Sequence, residues 1–530
     1  MTYEGNAINQ RYPNSSVTRY YNFDVARARL SPDGFEKEMI VINGQFPGPL
    51  IEANWGDWIS VTVTNSIRDP EEGTAIHWHA FLQQETPWYD GVPSVQQCPI
   101  APGSSFTYTF RADHVSTSFY HSHYSAQIAG GASGPIVIHG PQHQEFDYDM
   151  GPVLVSDWFH EEYHSIIEGV MGTDPSRFFP ATSNNLINGK MNFDCTTVTD
   201  GTPCVSNAGI SKFVFHENST HLLRIINGGS SGTEYFSVDE HIMTVVSMDF
   251  IPIEPYETNV IALGVGQRTE VIVRGKSGAD AERAYFLRAN LLLNCTVSET
   301  APMALAAIYY SDEDAENEIV PDSEAQEFDA ERFACGNEPL ELTMPIEPMA
   351  VTALEPETTV RIELRRELNA TGNQVWLMNG QTFRGNFNHP ILGLASQGNV
   401  SYPYDPQWNV YNMGSNHTVL SAGSGEWDGT IVNPENPLRR DTHILPPGGH
   451  LVTQFQADNP GIWPYHCHIA WHVSSGMYVN IMERPDDLLH RPEIPQVVGE
   501  TCKDWNEWSR DNIVNQIDSG VKAKRRAGSG

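Results

Sequence analysis

Apolar residues come in short runs along this chain, either alternating with polar ones or standing together, and turn residues separate the runs. Phe23-Asp24-Val25-Ala26-Arg27, Met39-Ile40-Val41-Ile42, Trp58-Ile59-Ser60-Val61-Thr62-Val63 and Phe106-Thr107-Tyr108-Thr109-Phe110 carry this texture between Val17 and Val137. A period of two belongs to a strand with one face buried, so these runs predict β-strands. Gly44-Gln45-Phe46-Pro47-Gly48-Pro49 and Pro102-Gly103-Ser104 supply the breaks. The texture returns from Leu222-Leu223-Arg224-Ile225-Ile226 and again from Thr359-Val360-Arg361-Ile362-Glu363-Leu364, and long amphipathic helices are scarce. Strand-rich stretches of about 120–150 residues predict antiparallel sandwiches or barrels. Glu313 to Glu338 is acidic and poor in large apolar side chains, which predicts a linker, and Lys522 to Gly530 reads as a disordered tail.

The 530 residues allow three domains, or two large ones, and 40% hydrophobic content suffices for several cores. With 18% charged residues, 43 Gly and 35 Pro, neither a long coiled coil nor a disordered chain fits. Acidic residues outnumber basic ones 66 to 31, for a net charge of −35. That surface repels phosphate backbones and anionic lipid, so no nucleic acid and no membrane is expected as a partner. No apolar run approaches the roughly 20 residues that span a bilayer. Seven cysteines permit at most three disulfides and leave one thiol for another task. Six N-x-S/T sequons, at Asn14, Asn218, Asn294, Asn369, Asn399 and Asn416, favour a secreted, extracellular glycoprotein. The start, MTYEGNAINQ, lacks the pattern of a signal peptide, so secretion requires that the signal was removed or that the chain starts late.

Three H-x-H pairs stand out: His77-Trp78-His79, His121-Ser122-His123 and His466-Cys467-His468. Random placement of 20 His among 530 residues gives fewer than one such pair. On a strand both imidazoles of a pair fall on one face; a solitary pair would read as surface decoration, three together do not. Cys467 then points to the face opposite His466 and His468, so one strand can serve two metal sites with a short covalent path between them. His472 follows five residues after Cys467 and Met477 ten after it. Thiolate, imidazole and a distant thioether are the ligands of a blue-copper centre, while an imidazole-only face suits copper that binds oxygen.

At these residues the sequence resembles the multicopper oxidases, and among them the ascomycete-type laccases. The likeness extends from about Val17 to Val521. It includes Val41-Ile42-Asn43-Gly44-Gln45-Phe46-Pro47-Gly48-Pro49, Asp90-Gly91-Val92-Pro93 running on to Gln97-Cys98-Pro99-Ile100, Trp427-Asp428-Gly429-Thr430, Asn433-Pro434-Glu435-Asn436-Pro437 and the block from Asn459 to Pro485. The resemblance implies an all-β fold of three consecutive cupredoxin-like Greek-key β-sandwich domains, at 17–145, 146–312 and 339–488. An N-terminal extension (1–16), the acidic linker (313–338) and a C-terminal extension (489–530) complete the chain. It further implies four copper ions: type 1 on Cys467 and His472 with Met477 axial, type 2 on His77, one type 3 on His79, His121 and His468, the other on His123 and His466. Asp90 matches the acid that relays protons to reduced oxygen. Cys98 with Cys502 and Cys295 with Cys335 match disulfides of that branch, which leaves Cys195 with Cys204 as a local pair and Cys467 as the remaining thiol. Asp518-Ser519-Gly520-Val521 resembles a C-terminal processing site.

Two departures qualify the likeness. Ala80 stands where a glycine usually follows the first His pair. More seriously, a further run, H-P-x-H-L-H-G-H, is absent: Thr418-Val419-Leu420 leads directly into Ser421-Ala422-Gly423-Ser424-Gly425. That run supplies a ligand each to type 1, type 2 and one type 3 copper, so the third domain is expected to be incomplete and copper loading partial. His417, His443 and His450 lie nearby and read as exposed loop or strand residues. The expected activity is one-electron oxidation of a small phenolic or other aromatic substrate coupled to four-electron reduction of O2 to water, by a monomer. Within the class, oxidation of Fe(II) or another metal ion is the alternative. From a different class, the chain is a catalytically impaired secreted glycoprotein on the same scaffold; loss of an exon from an active laccase would also explain the gap.

Overall fold

The computed structural model describes residues 12–278, 283–291, 302–327, 335–351, 359–398, 410–412, 415–488 and 494–511. Strands dominate, gathered in three units. In the first, a sheet ordered Lys37–Ile42, Thr18–Leu30, Trp58–Asn65, Ser105–Arg111 accompanies one ordered Ile51–Asn54, Ser133–His139, Ser116–Ser122, Ile76–Trp78. The alternation read from sequence is the reason for this shape. Along paired strands, Ser60 faces Thr109, Thr62 faces Thr107 and Thr64 faces Ser105 through their hydroxyls. The residues between them, Val61, Val63, Phe106, Tyr108 and Phe110, are fully buried.

The second unit has a six-stranded and a five-stranded sheet, with its own apolar core around Val153, Leu223, Phe236 and Val271. The acidic stretch after it is laid against that unit: Ser323 Oγ donates to Asp239 Oδ2 and Gln326 Nε2 to Val238 O and His241 O.

The third unit is divided. Its described strands form three small sheets: Leu364–Leu368 with Gln374–Met378, Val410–Asn412 with Tyr478–Glu483 and Gly461–His466, and Ser415–Ser424 with Gly449–Gln456. The run expected from Thr359 becomes a strand only at Leu364; before it the chain is tied to Asn379, which bonds to Arg361 and Glu363. What holds this unit is shared packing: one apolar cluster runs from Phe23, Trp78 and Phe110 of the first unit into Ile462, Trp471 and Tyr478 of the third.

The helix Gln496–Asp511 closes the chain onto the first unit. Cys502 is bonded to Cys98, and Trp505 is fully buried between Tyr124 and Phe387. The Cys195–Cys204 disulfide is present. Cys335 is disulfide-bonded, and Cys295, its expected partner, lies outside the described residues, as do the basic tail and the segment 518–521. Cys467 is the free thiol among the described residues. No described helix is long and apolar enough to cross a membrane.

Candidate metal centre

Strand register builds the site. The Ile76–Trp78 strand pairs with Ser116–Ser122 so that His77 stands directly opposite His121. His79 and His123 follow two residues on, and the ring centroid of His77 lies 5.8, 5.4 and 5.6 Å from those of His79, His121 and His123. The third unit delivers His466 and His468 to the same place. His466 Nε2 is 3.2 Å from His123 Nε2, and His468 Nε2 is 3.3 Å from His79 Nδ1. Donor atoms of His77, His79 and His121 lie within 4.8 Å of one another. All six imidazoles singled out from the sequence therefore meet, at the junction of the first and third units.

Four of the six rings are oriented from behind. Asp90 O lies 2.8 Å from His77 Nδ1, Ser122 O lies 3.0 Å from His121 Nδ1, and Cys467 O lies 2.8 Å from His466 Nδ1. Asp441 Oδ1 lies 3.1 Å from His79 Nε2. An oxygen at one ring nitrogen accepts its N–H and so leaves the lone pair on the other, the tautomer a metal needs. His121 Nε2 is buried with no hydrogen-bond partner among the described residues. An orphaned acceptor in a nest of imidazoles fits a cation.

Electrostatics agree with that fit. Burial holds His121, His123 and His468 well below the usual imidazole range, helped by the neighbouring rings, and lowers His466 to about 4. Burial also lowers His79. His77 is the exception: burial opposes its charge, but Asp90 outweighs burial and raises it. Neutral imidazoles are ready to bind metal without first losing a proton.

Asp90 is 4% exposed, with Oδ1 3.4 Å from His77 Nδ1 and Oδ2 accepting from Gln96 Nε2 at 3.1 Å. Gly91 explains why this turn can press on the His77 strand: its φ is +91°, and a Cβ there would lie 1.8 Å from Ile76 O. Ala80 adopts φ +68°, the left-handed region that glycine occupies without penalty. The cost of this departure is thus backbone strain beside His79 rather than crowding alone.

On the other side of the strand end, Cys467 Sγ lies 3.4 Å from His472 Nδ1. Cys467 N donates to Met477 O and Met477 N to His472 O, so the loop returns on itself and brings Met477 back beside Cys467 along the backbone. Burial pushes the Cys467 thiol up to about 12 and His472 down to about 4, with Arg366 adding to the latter.

Sequence reasoning missed Asp441. It accepts from Arg268 through both oxygens, at 2.6 and 2.8 Å, and Arg268 in turn lies 3.4 Å from Asp249. Burial opposes its ionisation, yet Arg268 and His79 hold it well below the usual carboxylate range. The charged triplet Arg439-Arg440-Asp441 was the available signal, but only the fold shows that its acid reaches a histidine 362 positions away. Gly266 was missed too; at φ +87° it lies flat on the His468 ring, where a Cβ would come within 2.9 Å.

The three histidines beside the gap separate. His450 has both ring nitrogens engaged locally, at 3.0 Å from Ser421 Oγ and from Gly425 O. His443 is not the exposed loop residue expected: both ring nitrogens are buried without partners among the described residues, and burial lowers it to about 3. The reason is that its segment is clamped between units, with Arg440 on Asp249, Gln267 Nε2 on Thr442 O, and Ile444 N on Asn337 Oδ1. The side chain of His417 lies outside the described residues. The Ser415–Ser424 strand continues through Leu420 and Ser421, but its pairing with Gly449–Gln456 shifts register between Val419 and Ser421, at the place where the run is missing.

Multicopper oxidase profiles match residues 24–143, 149–313 and 408–487. The chain is 34% identical to Oxidoreductase OpS5 of Beauveria bassiana, over 97% of this chain and 90% of that protein. It is 32% identical to Laccase-2 of Botryotinia fuckeliana, over 96% and 89%. A crystal structure of the laccase from Botrytis aclada superposes with a TM-score of 0.86 at 30% identity, covering 95% of both chains. With three cupredoxin-like domains and a histidine cluster where the first meets the third, the chain belongs to the multicopper oxidase family, as a laccase-like, copper-dependent oxidoreductase.

Proposed function

We propose that the clustered residues divide the copper between them as the resemblance implies. His77 would hold type 2 copper, and His79, His121 and His468 one type 3 copper. His123 and His466 would hold the other, and Cys467 and His472, together with Met477, type 1. Copper there would supply one-electron oxidation of a phenolic or related aromatic donor and four-electron reduction of O2 to water. The chain's own residues do the rest. Cys467 joins the two groups through single covalent steps to His466 and His468, and the His466 Nδ1 contact to Cys467 O adds a second connection. Asp90, buried against His77 and bonded to Gln96, is placed to hold a proton beside the cluster. Gln96 also donates to Ile462 O, which fixes that acid relative to the strand leading to Cys467. The observation that carries this reading is the convergence of six imidazoles, four of them with one ring nitrogen held by an oxygen.

The same map is short of ligands. Without the H-P-x-H-L-H-G-H run, type 1 lacks its second imidazole and type 2 keeps only His77, so we expect partial loading and slow turnover. A second reading, a secreted glycoprotein that retains the scaffold with impaired catalysis, draws on that gap. Exposed Asn14, Asn218 and Asn369 suit glycosylation, and the side chains of Asn294, Asn399 and Asn416 lie outside the described residues. We further propose a secreted monomer, since a charge of −35 disfavours self-association, nucleic acid and anionic membranes alike.

Cys467→Ser tests the assignment. A hydroxyl cannot provide the soft anionic sulfur on which thiolate-to-copper charge transfer depends. The visible absorption of the copper-loaded protein should vanish while its circular dichroism stays unchanged; a blue band that survives the substitution would remove Cys467 from the site.

A further inference from the structure

The approach to His472 carries a cation that no described carboxylate neutralises. Arg366 and Trp376 stand directly opposite each other on the strands Leu364–Leu368 and Gln374–Met378, so their side chains share a face. The Trp376 ring lies 4.6 Å, centroid to centroid, from that of His472. Trp376 N donates to Ser475 O at 2.8 Å, which ties this strand to the end of the helix bearing His472. The Arg366 guanidinium sits 6.0 Å from the centre of the Trp376 ring and 4.5 Å from that of Phe179, an aromatic of the second unit that is 51% exposed. Arg366 is itself exposed, and among the described residues no carboxylate lies within 4.0 Å of it. Its neighbour Arg365, by contrast, pairs with Glu363 at 2.8 Å.

A chain with a net charge of −35 repels an anionic donor at a distance. Beside His472 a guanidinium with no carboxylate partner among the described residues, held by aromatic faces and able to bind a carboxylate through two N–H groups, offers such a donor an anchor. A neutral phenol would gain little from it. We infer that Arg366 makes this site selective for aromatic donors that carry a carboxylate, the phenolic acids, with the carboxylate on Arg366 and the ring against the Phe179–Trp376 rim beside His472. The inference rests on reading His472 as the residue nearest the electron donor, but it concerns binding and not turnover.

The test is anaerobic calorimetric titration of the copper-loaded protein with ferulate and, separately, with ferulate methyl ester. Ferulate should bind more tightly by roughly three- to tenfold at low salt, the range between an exposed ion pair and a charge-assisted bidentate one. The preference should shrink at about 0.5 M salt, where the screening length is a few ångströms. Arg366→Ala should erase it, and Arg366→Lys should restore part of it, as a point charge without the planar fork. Equal binding of acid and ester, no binding of either, or a preference that persists in Arg366→Ala would overturn the inference. Oxygen uptake is measured apart: a protein that prefers ferulate yet consumes no oxygen counts against the oxidase reading alone, and an active oxidase without the preference counts against Arg366 alone.

Discussion

His123 Nε2 and His466 Nε2 face each other at 3.2 Å, although 343 residues separate them in the chain. Neither unit alone completes the cluster, because four of its imidazoles come from the first and two from the third. One apolar core runs through both units and packs the strands that carry these two rings. Assembly of the two units and assembly of the site are therefore one event.

Asp441 should matter for metal retention although it is not itself a proposed ligand. Its carboxylate faces His79 Nε2 at 3.1 Å and leaves His79 Nδ1 directed at His468. Asp441→Asn preserves the shape but weakens the acceptor, and loss of such a partner typically lowers metal affinity ~10–100-fold. Competition with a copper chelator should show at least the lower figure. Unchanged retention would mean that His79 is held by its packing alone.

Lys37 gives a pH dependence with a definite sign. Burial lowers its ammonium to about 8, while the Nζ donates to Phe159 O and sits 4.5 Å above the Trp158 ring. Between pH 8 and the unfolded value near 10.5 the unfolded chain binds more protons than the folded one, so stability rises with pH across that window. Below it the buried charge costs up to about 3 kcal/mol. Lys37→Met should therefore stabilise the protein at pH 7, less whatever the lost bond to Phe159 contributed, and its advantage should fade as the pH approaches 10. Thermal unfolding of both forms across this range checks the slope; an advantage that grows with pH would contradict it.

The Cys98–Cys502 disulfide closes a loop of 404 residues and pins the Gln496–Asp511 helix to the first unit. Such bridges typically contribute ~2–4 kcal/mol. Cys502→Ser should lower the melting temperature and expose this helix to limited proteolysis before the sheets unfold. Trp505 remains as an apolar anchor, so cleavage should be partial rather than complete.

The sheets of the first two units and the membership of the histidine cluster were legible in the sequence, because period-two alternation and H-x-H spacing are local signals. Ser60, Thr62 and Thr64 against Val61 and Val63 already divide the first sheet into two faces. Asp441, Gly266 and the burial of His443 were not legible, since each depends on a contact between units that no local pattern records. The run from Thr359 misled for a related reason: a strand needs a partner, and up to Glu363 this segment is tied to the chain around Asn379 instead. The helix at Gln496–Asp511 escaped notice although Val498, Cys502, Trp505 and Trp508 recur at helical spacing, because polar residues dominate the segment between them.

The central claim is that the chain forms the imidazole cluster yet is short of copper ligands in its third domain. The measurement that tests it most directly is copper per chain, by elemental analysis of the loaded protein, together with oxygen uptake on a phenol. The same values are taken for a chain carrying an H-P-x-H-L-H-G-H segment inserted after Leu420. The expected result is a partial copper complement and slow uptake in the unmodified chain, with both raised by the insertion. A full complement and equal uptake in the unmodified chain would contradict the account and move the missing ligands to residues such as His417 or His443.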